Sequence, residues 1–287
     1  MINFFTPFIM FVILSFLVTK VQRHISPRNS ARISIVVLLL GAVIVLSLLI
    51  HFSIMWLVVS PKVGPILHNV LNNGGLHFGA RSGLDFVALV LLVISVARAM
   101  FVVRSDRRLR RAHSGGLVVV SDPTMFAYAL PGATQGVVIS EGLLHELSED
   151  ELDVVLAHEK AHLDNRHDRW ILAGRICTSF NPLLRHAMSN LRFALERVAD
   201  EASVTACGDR QRVARTITKV ALGQSKFDGA LGMASFGVVD RVRNLSFSNE
   251  SDEPIQNLIL GAGLFAMAAL TAMQWHHIAL AIASVCG

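Results

Sequence analysis

The 287-residue chain contains little cysteine and little charge. Its three cysteines, Cys177, Cys207 and Cys286, are widely spaced and odd in number, so neither a disulfide framework nor a cysteine-based metal site is indicated. Charged residues make up 16% of the chain and hydrophobic residues 53%. This balance is typical of a membrane protein and argues against a chain made only of soluble domains.

The apolar residues are concentrated in four runs, three before Arg104 and one after Asn257. Residues 104–256, between these runs, have the ordinary composition of a soluble domain. The first run is followed, not preceded, by positive charge, so we interpret it as a retained anchor and not as a signal peptide. The run lengths predict transmembrane helices at about residues 3–19, 33–59 and 83–103, and a fourth within residues 257–287.

The net charge of +5 comes from basic residues that flank the apolar runs. The segment Lys20–Arg32 carries +4, whereas residues 104–256 carry 19 Lys plus Arg against 20 Asp plus Glu, a net of −1. The basic excess therefore indicates contact with membrane lipid and gives no support to direct nucleic acid binding. Because positively charged loops stay on the inner side, we expect the N-terminus outside and residues 104–256 in the cytoplasm.

An H-E-x-x-H pattern is formed by His158, Glu159 and His162. Ser148 and Glu151 have the spacing of a capping box, which predicts that a helix starts before this pattern and includes it. The two imidazoles are then at positions i and i+4, on one face of that helix. That spacing lets two ring nitrogens bind one Zn²⁺, with Glu159 beside the metal as the base of a hydrolytic reaction. The alternative is a solvated helix face that carries two histidines and a glutamate.

A zinc ion held by two histidines needs a third protein ligand if one position is to stay open for water. Our candidate is Glu196, on a helix predicted to begin at Asn181-Pro182 and to stop at Gly208. Asp200, one turn further on, is predicted to accept a hydrogen bond from a ligand imidazole and so to fix its tautomer. The alternative is that Asp200 and Glu201 are ordinary surface carboxylates.

Short β-branched runs at Leu117–Ser121 and Val137–Ser140 predict a small sheet or hairpin, with a further strand at Met125–Leu130 between them. A strand beside a zinc site can pair with the backbone of a peptide, and a purely structural hairpin is the alternative. The candidate substrate edge consists of Ala127, Tyr128 and Ala129.

The C-terminal part of the soluble segment is predicted as one more helix, Asp209–Gln224, followed by a linker. The linker covers residues 225–256 and contains glycine, serine and asparagine. Arg241 or Arg243 is expected to dock it on the domain.

These residues resemble those of the BlaR/MecR membrane zinc metallopeptidases, which bacteria use in the β-lactam response. The resemblance covers roughly residues 117–207. It is carried by Leu156–His162 with Arg166 and Asp168, by Phe180–Leu183, and by Glu196–Asp200.

The resemblance implies a Zn²⁺ site of His158, His162 and Glu196, with Glu159 as general base and Asp200 in support. It implies a multi-pass protein of the bacterial inner membrane whose substrate is a cytoplasmic protein, in that family a transcriptional repressor inactivated by cleavage. The expected fold class is a mainly α membrane protein, with four transmembrane helices and a cytoplasmic α+β zincin-type metallopeptidase domain.

The chain departs from the best-known members of that family, which carry an extracellular penicillin-binding domain after the last span. This chain ends at Gly287 without one. We therefore expect a separate sensor protein, or residues 60–82, to detect any signal.

Two other functions are left open by the residues. The HtpX and CaaX-protease families, of which the first acts in membrane-protein quality control, share H-E-x-x-H but place more chain before the third ligand. Glu196 follows His162 by only thirty-four positions, which disfavours them. A non-catalytic signalling scaffold with structural zinc would need a fourth protein ligand, for which His145 and His167 are candidates. A homo-oligomer is also left open.

Overall fold

The computed structural model of the protein is mainly helical, with one small sheet. It describes residues 2–21, 25–58, 83–111, 116–130, 136–228, 234–246 and 254–286. Residues 60–82, named above as a possible detector of a signal, lie outside these described residues.

Four long apolar helices lie outside the central segment, at Ile2–Val21 (α1), Pro27–Val58 (α2), Gly83–Arg111 (α3) and Pro254–Cys286 (α10). Three of them contain stretches long and apolar enough to cross a membrane: Pro27–Leu57, Gly83–Arg110 and Leu258–Ala279. The apolar part of α1, Phe5–Val18, is shorter. The span predicted at residues 3–19 is therefore helical but stays a prediction as a span.

The sheet has three strands, Gly116–Val120 (β1), Ala127–Leu130 (β2) and Gly136–Ser140 (β3), in the order β1-β3-β2. β1 pairs with β3 in parallel and β2 pairs with β3 antiparallel. The prediction of a small sheet is confirmed. Its alternative, a hairpin of the first and last β-branched runs, is wrong, because a tight turn joins only antiparallel strands. The strand predicted between them is confirmed, and it lies at one edge of the sheet.

The remaining helices follow the sheet. They are Glu141–Glu146 (α4), Glu149–Asp164 (α5), His167–Phe180 (α6), the 3₁₀ turn Pro182–Leu184, Arg185–Cys207 (α7), Arg210–Asp228 (α8) and Ala234–Ser246 (α9).

The predicted ends of two helices are confirmed. At the start of α5, the Ser148 hydroxyl accepts from the Glu151 N–H, and the Glu151 carboxylate accepts from the Ser148 N–H. Gly208 follows α7 with a φ of 69°, a left-handed conformation that glycine adopts without a steric penalty. The prediction of a continuous linker over residues 225–256 is wrong, because α9 is a thirteen-residue helix within it.

One hydrophobic core joins the central segment to the membrane-type helices. It contains Phe11 of α1, Leu38 of α2 and Met267 of α10 together with Leu184 and Leu191, and all five side chains are fully buried. The hairpin formed by α6 and α7 thus packs between apolar helices. The central segment is not a body separate from the predicted spans.

Gly41 of α2 lies against the tip of this hairpin. Its carbonyl accepts a hydrogen bond from the Asn181 amide, at 3.1 Å. A Cβ atom at residue 41 would overlap the side chain of Leu184, which has no exposed surface and therefore no room to move. The contact depends on glycine at this position.

We expect Gly41→Ala to destabilise the protein by about 1–3 kcal/mol, because it overfills a closely packed contact. Thermal unfolding of the purified full chain in detergent measures the effect. Gly261→Ala in α10 is the matched control, since a Cβ there meets no atom within 4 Å. Equal unfolding midpoints for the two variants would contradict this account of the hairpin.

Candidate metal centre

Two helices supply the polar side chains of the site. The helix α5 carries His158 and His162, and α7, which packs against it, carries Glu196 and Asp200. In both helices the paired residues are four positions apart, so each pair lies on one face. The packed helices therefore bring two imidazoles and two carboxylates together.

Three of these groups have the geometry of a zinc site. The Nε2 atoms of His158 and His162 lie 3.2 Å apart, and the Glu196 carboxylate oxygens lie 3.4 Å from the first and 3.7 Å from the second. A tetrahedral Zn²⁺ with bonds of about 2.0–2.2 Å separates its ligand atoms by roughly 3.3–3.5 Å. The three donors, two nitrogens and one carboxylate, fit that ion in spacing and in chemical type.

A fourth protein ligand is not found near these three among the described residues. The potential ligand atoms that lie within 4.8 Å of one another belong to His158, His162 and Glu196. His145 is not part of this group, and His167 contacts His162 through its ring and does not join the three donors. A Zn²⁺ ion held by these three residues would keep one tetrahedral position for water, as hydrolysis requires.

Each histidine has a polar neighbour at its other ring nitrogen. The Nδ1 atom of His158 lies 3.1 Å from an Asp200 oxygen, an ion-pair distance without hydrogen-bond geometry, so the predicted hydrogen bond stays a prediction. The Nδ1 atom of His162 lies 2.8 Å from Nδ1 of His167. If Nε2 of His162 is the metal-binding atom, its Nδ1–H donates to His167. Both partners are almost fully buried, so they fix the orientation of the rings.

His167 reaches His162 because the chain turns sharply between α5 and α6. Arg166, at the turn, has a φ of 51°, the left-handed conformation that few residues other than glycine adopt. His167 is the first residue of α6 and is 2% exposed. A partial signal for this role was the presence of a third histidine five positions after the motif, which we considered only as a candidate ligand.

Arg241 is a member of the site that sequence reasoning placed only as a docking residue. It lies on α9 and donates to both oxygens of Asp200, at 2.6 and 2.8 Å. Its guanidinium also lies 3.1 Å from the Glu196 carboxylate. The arginine thus compensates two acidic groups that would otherwise be costly to bury.

The charges in the site shift several pKa values. Burial alone lowers the pKa of His158, but Asp200 and Glu196 outweigh it and raise that pKa to about 9. Burial lowers the pKa of His162 to about 4. Burial also opposes the charge of Glu196 and of Asp200, yet their contacts with His158 and Arg241 keep both pKa values below the usual range. Both carboxylates are therefore ionised at neutral pH.

The side chain of Glu159 extends from α5 towards the edge strand β2. Burial raises the pKa of its carboxyl group, and a hydrogen bond from the main-chain N–H of Ala129 opposes that change. Two cavities, of about 170 and 450 Å³, meet at Glu159, His158, Glu196 and Ala127. Tyr128 and Ala129 line the larger one. The structure therefore brings all three residues of the predicted substrate edge to the site.

Residues 96–189 match the model of Peptidase family M48. The match covers about a third of the chain and includes the H-E-x-x-H pattern, but it ends before Glu196. It supports the interpretation of this segment as part of a membrane metallopeptidase of the M48 type. Peptidases of this family are zinc enzymes, which agrees with the donor set of the site.

Two curated relatives share a short segment with the chain, and both are named protease HtpX homologues. The one from Aeropyrum pernix is 48% identical over 59 residues, which cover 20% of this chain and 18% of the relative. The one from Pelotomaculum thermopropionicum is 43% identical over 58 residues, 20% of each chain. The chain thus matches about a fifth of the length of either relative. No solved structure matches.

Neither comparison supports the BlaR/MecR resemblance at the level of that subfamily. The relatives carry the name of the HtpX type, which the short spacing between His162 and Glu196 disfavoured. These matches cover about a fifth of the chain and do not test the spacing argument, which stays a prediction.

We expect His167→Leu to weaken Zn²⁺ binding about 10- to 100-fold, because the Nδ1–H of His162 loses its acceptor. His167→Asn is the matched variant, since its side-chain oxygen restores an acceptor near the same place, and it should retain most of the affinity. Competition with a fluorescent chelator measures both. Equal affinities for the two variants would show that His167 only fills space.

Zn²⁺ affinity is expected to rise about tenfold per pH unit between pH 6 and 8, because the metal must displace one proton from His158. The pKa of His158 is about 9, so His158 is still protonated between pH 6 and 8. The pKa of His162 is about 4, so His162 is already neutral in this range. Above pH 9 the affinity should level off. Chelator competition at several pH values measures the slope, and a flat profile between pH 6 and 8 would contradict it.

Proposed function

We propose that the protein is a membrane-anchored zinc endopeptidase that cuts proteins on the cytoplasmic side of the membrane. The observation that carries the proposal is the convergence of His158, His162 and Glu196 at zinc-ligand spacing, with Glu159 beside them. The M48 match over residues 96–189 supports the same reaction class. The cytoplasmic side rests on the basic residues that flank the apolar runs.

Each residue of the site has a defined part in peptide hydrolysis. Zn²⁺, when bound, acts as a Lewis acid on the scissile carbonyl and on water. Glu159 accepts a proton from water and donates it to the leaving amine, and its raised pKa brings it closer to the pH at which it must do both. Asp200 and His167 hold the rings of His158 and His162 in the required orientation.

The edge strand β2 offers main-chain groups to a substrate. Phe126, just before β2, accepts a hydrogen bond from the Ser140 N–H, so alternate residues from Phe126 onwards pair with β3. Ala127 and Ala129 therefore direct their N–H and C=O groups to the open edge. The bond from the Ala129 N–H to Glu159 agrees with this direction. An extended peptide that pairs here lies along both cavities.

Two substrate classes fit this reaction. The resemblance to BlaR/MecR proteins supports a soluble transcriptional repressor and a role in antibiotic response. The HtpX relatives support membrane proteins. The larger cavity favours membrane proteins as substrates, because it lies close to the predicted membrane surface. Its lining includes Asp168 and also Asp106, which lies just after a predicted span. Capture of substrates by a Glu159→Gln variant in cells distinguishes one dominant soluble protein from many membrane proteins.

We expect Glu159→Gln to retain Zn²⁺ and to reduce cleavage of an unfolded polypeptide roughly 10²- to 10⁴-fold, the usual contribution of a general base. Glu196→Ala removes a candidate ligand, so it should lower the Zn²⁺ affinity by more than the roughly 10- to 100-fold that is typical when a residue hydrogen-bonded to a ligand is removed. Glu201→Ala, on the same helix but paired with Arg210, is the control and should keep both properties. Metal analysis and gel-based cleavage measure the outcome. Undiminished, zinc-dependent cleavage by Glu159→Gln would end the proposal.

A further inference from the structure

The smaller of the two cavities opens beside the candidate metal centre and extends away from it between α5, α8 and α9. His158, Glu159, Glu196 and Arg241 lie on its polar side. The other walls are apolar and come from three helices, with Val154, Val155, Ile217, Val220, Ala221 and Val238. The cavity is thus a pocket with an apolar interior and a reactive polar side.

The volume of this pocket is sufficient for one large apolar side chain. It holds about 170 Å³, whereas one water needs roughly 10–15 Å³ on the same measure, so there is room for on the order of ten waters. The apolar walls offer few polar partners to such waters. Thr216, the polar residue among the walls, is itself buried, and its hydroxyl has no hydrogen-bond partner among the described residues. Displacement of this water by an apolar group is therefore favourable.

The charges around the pocket argue against a charged occupant. Arg241 is already paired with Asp200 and Glu196, so it is not available to an acidic side chain. The remaining walls carry no ionisable group. A charge placed among them would lose its hydration without compensation.

We propose that this pocket binds the side chain of a substrate residue next to the scissile bond and selects a leucine- or methionine-sized apolar group. The inference rests on the proposed endopeptidase function, whose reacting groups border the pocket. A larger side chain at Ala221 of α8 would reduce the available space, because Ala221 lines the pocket and is the smallest wall residue that is neither part of the metal centre nor on the edge strand.

The test fills the pocket from Ala221 while it leaves the metal centre intact. Zinc-loaded full-length protein in detergent is incubated with a peptide mixture, and the cleavage sites are mapped by mass spectrometry. The wild type should favour Leu or Met over Ala at one position beside the cut by on the order of 10- to 200-fold. Ala221→Phe should remove this preference or reverse it. Leu222→Phe, the same new side chain on the exposed side of α8, is the matched control and should keep the preference.

A binding measurement gives a readout without turnover. Two peptide hydroxamates that differ only in an isobutyl or a methyl side chain are titrated into wild type and both variants. The isobutyl compound should bind more tightly to the wild type and to Leu222→Phe, and this advantage should disappear in Ala221→Phe. Zinc content and thermal unfolding check that each variant is folded, and Ala221→Leu replaces Ala221→Phe if the larger residue prevents folding.

The outcomes separate this inference from the function on which it rests. Cleavage without an apolar preference, or a preference that a folded Ala221→Phe retains, would overturn the pocket assignment and leave the endopeptidase in place. A wild type that shows no Glu159-dependent cleavage would overturn the endopeptidase. In that case the two hydroxamates still test the apolar pocket by binding. Equal affinities of the wild type for the isobutyl and methyl compounds would refute the pocket assignment.

Discussion

The candidate centre depends on the mutual compensation of buried charges across three helices. Asp200 has a side chain that is 2% exposed, and a carboxylate so placed is stable only with a close cationic partner. Arg241 supplies that charge from α9, and Asp200 lies beside the imidazole of His158 on α5. The contact of α5 with α7 and that of α9 with α7 are thereby connected through one side chain. Removal of either partner would leave an unpaired charge in the middle of the site.

The local features of the site could be predicted from the sequence because they depend on residues close in the chain. The capping box at Ser148 fixes the start of α5, and the i, i+4 spacing fixes the common face of His158 and His162. Glu196 and Asp200 were found because zinc chemistry demands a third ligand and because they share a helix face. Their positions in the structure agree with these roles, which stay predictions until a metal is bound.

The features that sequence reasoning missed depend on contacts between distant parts of the chain. Strand order is one, since the parallel pairing of β1 with β3 leaves no local pattern that separates it from a hairpin. The hairpin of α6 and α7 is another, because its apolar residues look the same whether they contact a soluble core or the membrane-type helix α2. Arg241 was placed in a linker because glycine and polar residues around α9 hide a short helical stretch.

The link between Arg110 and Asp168 gives the centre an unusual attachment. Arg110, near the end of α3, pairs with Asp168 at the start of α6, and the residue before Asp168 is His167, which supports His162. Through this ion pair and the adjacent His167, the end of α3 and the ring of His162 are attached to the same turn, so a change in the position of α3 is expected to reach that imidazole.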